Sequence, residues 1–469
     1  MPNRAAAPPF PRENPARQSL RLLVWGGAIL LGIAAEAADW PRLGGPDASG
    51  VSPETGLARA WPAAGPRVVW TVGVGEGFAG AAIRDGRVFL LDRTNAQDVL
   101  RCFNLADGRE SWRRAFDAPG SLPFKGSRSV PSVDESMVFA LGPFGDFLAV
   151  SVRTHEVVWK SHLVNDFKDP AVDQDSPPAD RREKLARAQV PMWGFTQAPL
   201  LYGDLVIIAP QTERTGLVAY ERATGRIRWR SDYLGRNWFS HVSPALARLG
   251  GVDQVIMLAQ PSDPERSPDE APPAIISSVD PRTGAILWRT LSPRPYKIPI
   301  PQPLAIGDDR LLITGGLKMG CFMLQVTNQG GVWSAKVLFH HREVAAHIHS
   351  PVAYRDRIYV TSFKEDGASR TGLVCLSREG RVLWETGPDL QFDAGGFLIA
   401  DGMVFAMHGK RGELNLLELG ETGATVLAKA KVLEARDGNV WAPLALSGGM
   451  LVVRDQHEMK CLEVRAEQK

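Results

Sequence analysis

Features that usually announce an activity are scarce in this chain. Only four cysteines occur in 469 residues, and no two are adjacent. No C-x-x-C-H run is present, which excludes covalent haem attachment of the c type. Charge of one sign is also lacking. The net charge is +2, and setting aside Arg4, Arg12, Arg17 and Arg21 with Glu13 and Glu36 leaves equal numbers of basic and acidic side chains. A neutral body without a basic stripe has no field to gather a polyanion, so a nucleic-acid partner is not expected. Lys318, near Gly315, Gly316 and Gly320, lacks the G-x-x-x-x-G-K-S/T order and a following helix. Asp455 and His457 have no serine or cysteine in a nucleophile context beside them and read as a turn. The sequence therefore offers no catalytic residue and no metal set.

The longest apolar run, Leu22 to Ala35, is too short for a spanning helix, which needs about 20 residues. Arg17 and Arg21 precede it, and Ala35-Glu36-Ala37 is a small-x-small site. This predicts a secretory signal peptide over residues 1–37, hence a periplasmic or extracellular protein with no transmembrane segment after cleavage. An uncleaved anchor is the alternative. In that oxidising setting, Cys102, Cys321, Cys375 and Cys461 still read as isolated buried thiols, because each sits in a similar apolar strand context of a different repeat.

The repeat is the strongest signal present. Ala219 to Trp229 and Ser278 to Trp288 are near copies of a polar turn followed by a tryptophan-bearing strand. Cys102 to Trp112, Ala149 to Trp159 and Leu376 to Trp384 are looser copies, Thr327 to Trp333 is degenerate, and Pro66 to Trp70 keeps the strand alone. Gly420 to Ala428 keeps the turn without tryptophan. A second strand type recurs eight times, from Asp85–Phe89 to Gly448–Val452. Upstream of most copies lies a proline: Pro131, Pro199, Pro244, Pro303, Pro351 and Pro443. Units of four short strands, repeated without helical period, predict an all-β, eight-bladed propeller of four-stranded antiparallel blades. Trp70, Trp112, Trp159, Trp229, Trp288, Trp333 and Trp384 are then apolar wedges between blades.

The last copy ends one strand short, at Met459 to Val464, and the first begins with an orphan strand, Val68 to Val72. The N-terminal strand is expected to complete the C-terminal blade and close the ring. This gives an extended Pro/Gly-rich arm at 38–66 and one propeller domain at 67–465, taken as a monomer. Asp180 to Gln189 reads as a charged, helix-compatible stretch and Gln260 to Pro273 as a solvated loop.

The A/S-x-D/E-x-x-T-G-x-x-x-W pattern resembles the tryptophan-docking repeat of the pyrroloquinoline-quinone (PQQ)-type propeller family. Asp39 to Pro46 and Trp441-Ala442-Pro443 resemble its exported members. The resemblance implies a fold similar to quinoprotein alcohol dehydrogenases and to the non-catalytic propeller subunit of the outer-membrane β-barrel assembly machinery. The dehydrogenases hold PQQ beside calcium, with a catalytic Asp and commonly a vicinal disulfide. This chain has no adjacent cysteines and no calcium-loop run, so no cofactor is expected, and PQQ with calcium enters only under the dehydrogenase alternative.

Residues just before the proline-bearing strands should meet at one mouth of the channel: Arg128, Trp193, Gln197, His241, His349 and Trp441. Either they plug it or they form a pocket, with Trp193 and Trp441 stacking on a planar ligand or sugar. His340, His341, His347 and His349 form the densest histidine cluster and read as strand ends rather than metal ligands. The expected function is a binding or scaffold propeller for a protein or small ligand, with a carbohydrate-binding propeller as a further alternative.

Overall fold

The computed structural model describes residues 38–168, 189–236, 240–261, 272–362 and 368–467. The expected signal peptide, nearly all of Asp180 to Gln189 and most of Gln260 to Pro273 lie outside these residues. Among the described residues the strands form eight sheets of four antiparallel strands, in chain order in blades 1 to 7, and blade 7 carries a fifth, parallel strand. We number the blades from the one whose innermost strand is Ala82–Arg84. The innermost strands of blades 2 to 8 are Ser132–Val133, Leu200–Tyr202, Ala245–Leu249, Leu304–Ile306, Val352–Tyr354, Phe397–Ala400 and Ala445–Ser447. One five-residue helix, Leu163–Phe167, interrupts this pattern in the connection from blade 2 to blade 3.

The apolar core lies between blades, as it must when one twisted sheet cannot cover both its own faces. Phe147 and Trp159 of blade 2 pack with Val218 and Tyr220 of blade 3, and Trp159 stacks on Tyr220 at 5.4 Å. The same sharing joins blades 4 and 5, 5 and 6, and 6 and 7. The ring is closed by Arg67–Gly73, which pairs antiparallel with Glu458–Glu463 as the outer strand of blade 8. Arg67 donates from Nε to Glu463 at 2.6 Å across that pair.

Each blade has a register shift in its outer hairpin, beside the wedge position. A bulge adds one residue and turns the next side chain toward the neighbouring blade. Trp70 donates from Nε1 to the carbonyl of Leu105 (2.7 Å), Trp159 to that of Arg222 (2.7 Å) and Trp229 to that of Pro281 (3.1 Å), each in the following blade. Their indoles rest on Gly108, Gly225 and Gly284, where a Cβ would lie 2.5–2.7 Å from the ring. These glycines also hold φ of +72°, +71° and +77°, so both space and backbone require glycine. Trp112 stacks on His155 of blade 2 at 5.2 Å, whereas Trp288 donates within its own blade to Gln254 Oε1 at 2.8 Å. Trp384 is buried and packs at a tilt of 56° against Tyr359 of its own blade, with ring centres 5.9 Å apart.

Blade 5 departs from the expectation. The residue after its bulge is Phe339, paired with Met323, and Phe339 sits on Gly380 of blade 6. Trp333 lies at the far end of the same strand, next to the Gly330-Gly331 turn, and faces Gly250 of blade 4.

The arm is stitched to the propeller. Trp40 exchanges backbone hydrogen bonds with Ile83 of blade 1 (2.9 and 2.8 Å), and Val133 of blade 2 donates to Pro41 (2.9 Å). Val51–Ser52 runs parallel to Ile399–Ala400 of blade 7. Glu54 accepts from the Gly448 and Gly449 amides of blade 8 at 2.6 and 2.7 Å, and Asp401 accepts from Leu57 N at 3.0 Å. Trp40 and Leu57 are buried in the cluster shared by blades 7, 8 and 1. The arm thus covers free edges of innermost strands at the end of the channel bordered by their first hairpin turns. The four cysteines are free and buried, in blades 1, 5, 6 and 8.

Candidate functional site

The opposite end of the channel is a cavity of about 460 Å³. Segments leading into all eight innermost strands supply its wall, and Leu43 of the arm reaches it from below. Serines tie these segments together. Ser129 Oγ donates to the Gln197 carbonyl (2.6 Å) and Ser132 Oγ to that of Pro199 (2.5 Å). Ser243 Oγ accepts from Ala198 N (2.9 Å), and Ser350 Oγ accepts from Gln302 N (2.9 Å). Buried backbone groups are thereby satisfied from one blade to the next, and the rim is fixed.

Of the six residues expected at this mouth, Arg128, Trp193, His241, His349 and Trp441 line the cavity. Gln197 does not. Alternation along the chain turns Thr196 and Ala198 inward and Gln197 away. Its side chain lies behind the wall, accepting from Ala209 N (3.1 Å) and donating to Gln211 Oε1 (3.2 Å). Phe78, Phe124, His347, Asp393 and Lys410 also line the cavity and were not singled out for it by the sequence. Phe78 precedes the one early blade without a marker proline, and Phe124 and Lys410 sit in connections that carry no repeat signature.

One side of the cavity is an aromatic wall. Phe78 stacks on Trp441 with ring centres 5.1 Å apart and planes 23° from parallel. Phe124 bridges from Trp441 (5.7 Å) to Trp193 (6.3 Å), and Trp193 stacks on His241 at 5.0 Å. The polar side is cationic. Arg128 donates to the carbonyls of Gly126 (3.1 Å) and Phe124 (2.6 Å), and its guanidinium lies 5.2 Å from the Phe78 ring centre. Among the described residues it has no carboxylate partner. Removal from water pulls it down to about 9, so it stays charged at neutral pH.

His241 is 4% exposed, and neither of its ring nitrogens has a hydrogen-bond partner. Burial, reinforced by the nearby Arg128 and His347, lowers it to about 3, so its imidazole is neutral. His349 is lowered to about 4, again mainly by burial, and its Nε2 meets the Ala394 carbonyl at 3.1 Å. His340 and His341 lie elsewhere, against the carbonyls of Met319 (2.8 Å) and Gly380 (2.6 Å). The four histidines of the sequence cluster are therefore split between two places.

This donor set does not fit a calcium-held quinone. Calcium takes six to eight oxygens, whereas the lining carries one carboxylate, Asp393, already engaged by Lys410 Nζ at 3.0 Å. The remaining charged and ionisable groups present nitrogen. No cysteine reaches the cavity to cover a planar ring. What the arrangement favours chemically is a negative charge attached to an apolar surface.

Residues 50–168 and 273–463, more than half of the chain, match the sequence family described as outer membrane protein assembly factor BamB. No curated protein matches in sequence. Several solved structures are similar. BamB from Moraxella catarrhalis aligns with a TM-score of 0.54 and 13% identity, over 85% of this chain and 99% of that one. Quinohemoprotein alcohol dehydrogenase from Comamonas testosteroni aligns with 0.61 and 13%, over 92% and 81%. The computationally designed Ika8 protein aligns with 0.55 and 11%, over 85% and 100%. At these identities the likeness establishes the fold, which enzymes and non-enzymes share.

Proposed function

Because the chain belongs to the family of outer membrane protein assembly factor BamB, we propose that it is an exported, non-catalytic binding module whose working surface is the open channel mouth. The observation that carries this reading is the cavity in which Arg128 lacks a carboxylate counter-ion among the described residues, and both ring nitrogens of His241 lack a hydrogen-bond partner, beside apolar rings. Polar groups left unmatched beside apolar walls favour a ligand that completes them. No described helix is long and apolar enough to cross a membrane.

The dehydrogenase reading rests on fold likeness alone, and the nitrogen-rich lining argues against it. A neutral sugar would stack on Trp193 and Trp441 but would leave the Arg128 charge uncompensated, which weighs against the carbohydrate reading. A photo-crosslinking residue at Phe124, on the rim, tests the proposal against one at Glu421, on an outer hairpin. Defined crosslinks from Phe124 alone are expected. Equal labelling from both positions, or alcohol-dependent dye reduction after adding PQQ and calcium, would overturn it.

A further inference from the structure

We propose that the central cavity takes a monoanionic ligand, a carboxylate on a flat apolar body, with the carboxylate on Arg128 and His241 and the body against the Phe78–Trp441 wall. This deepens the binding-module reading and rests on it. Three independent observations converge. Arg128 spends two donors on backbone carbonyls, which orient the guanidinium without neutralising it. A guanidinium has five N–H donors in a fork that matches a carboxylate.

His241 is the second observation. Its backbone is pinned on both sides, N–H to Pro299 O (2.8 Å) and carbonyl from Thr196 Oγ1 (3.1 Å), and its ring is stacked on Trp193 at 5.0 Å. A buried imidazole with both nitrogens unmet is costly; a ligand oxygen would accept its N–H. The third is the wall itself, where stacked rings present an apolar surface of planar character beside the cation.

Charge selects the class. One uncompensated cation matches one negative charge, because the other cation of the lining, Lys410, is already opposite Asp393. A dianionic phosphate ester would leave a surplus charge in an apolar site, which is penalised strongly. A volume of about 460 Å³ suits a one- or two-ring acid. Leu43 at the base directs such a ligand to enter from the open mouth.

The carboxylate could belong to a free aromatic acid or to the C-terminus of a polypeptide ending in an aromatic residue. Calorimetric titration of the full chain with indole-3-propionate and with N-acetyl-Ala-Ala-Trp, each as acid and as amide, distinguishes the sources. At least one acid is expected to bind, and its amide at least 10-fold more weakly. Arg128→Gln should reduce acid binding at least 10-fold and leave amide binding unchanged, with the far-ultraviolet spectrum confirming the fold. Acid binding in wild type should also raise the His241 titration midpoint by NMR, a readout independent of that variant. Amides binding as tightly as acids would overturn the carboxylate assignment while leaving the cavity a binding site. No binding of any probe at millimolar concentration would overturn the ligand class, and no crosslink from Phe124 in addition would sink the binding module.

Discussion

The Trp70 indole donates to the Leu105 carbonyl across 2.7 Å, joining the strand that closes blade 8 to the outer turn of blade 1. That contact lies on the seam of the ring. Trp70→Ala should therefore lower stability by about 3–5 kcal/mol, the usual cost of deleting a buried aromatic. Trp333→Ala should cost under about 1 kcal/mol, because Trp333 is only half-buried and lies at a hairpin tip. Urea unfolding of both variants checks the pair, and equal losses would contradict the assignment of Phe339 as the wedge of blade 5.

The arm offers a second test. Glu54 caps two adjacent, part-buried amides of blade 8. Glu54→Ala should cost about 1–3 kcal/mol by leaving those donors unmatched. Hydrogen exchange at Gly448 and Gly449 should accelerate in the same variant. Unchanged exchange would mean that the arm does not hold that turn.

Arg128 should be a liability to stability in the ligand-free protein. Replacing an unpaired, desolvated cation by an apolar side chain of similar length is commonly neutral or stabilising by up to a few kcal/mol. Arg128→Met is expected to keep or raise the melting temperature while removing acid binding. A marked loss of stability would show that the two carbonyl contacts outweigh the charge penalty.

The pH dependence follows from two histidines. His241 and His349 are lowered to about 3 and about 4, while an unfolded chain takes up protons near 6.5. Below that value the unfolded state binds more protons, so stability falls as pH drops and the loss is complete near the folded values. Asp98 acts in the opposite sense. Burial raises it to about 6 against the pull of Arg93, so its folded carboxyl gains a proton before the unfolded one does. These three groups together favour a net loss at pH 5; His408, lowered by burial, adds to it, and Asp39, Glu54 and Asp146, raised by burial, offset part of it. The melting temperature should fall between pH 7 and pH 5, and His241→Asn with His349→Gln should flatten the slope.

The propeller was legible because its hairpins carry local grammar. The T-G-x-x-x-W run specifies a turn, a glycine with positive φ and a wedge within a few residues, and it recurs often enough to count. Blade 5 escaped that grammar. Its wedge is set by where the bulge falls, and nothing in Thr327 to Trp333 marks Phe339 as the residue that follows it. The cavity was legible only where a proline announced an innermost strand, which located Arg128, Trp193, His241, His349 and Trp441. Gln197 was misassigned because a marker one or two residues away does not fix the face, and period-two alternation reverses it. The course of the arm had no local signal, since Val51 pairs with Ile399 and Glu54 with Gly448, hundreds of residues downstream.

Pairing Arg67–Gly73 with Glu458–Glu463 imposes an order of events on biosynthesis. The earliest strand of the ring has no partner until nearly the whole chain has emerged, and the loop it closes is among the longest possible in the molecule. Entropy makes such a meeting slow relative to the hairpins within each blade. Blades 1 to 7 would form first as an unsealed arc, with its two end faces awaiting cover. A chaperone that shields those faces, or a crowded compartment that lacks one, would then decide how much of the protein reaches its sealed form.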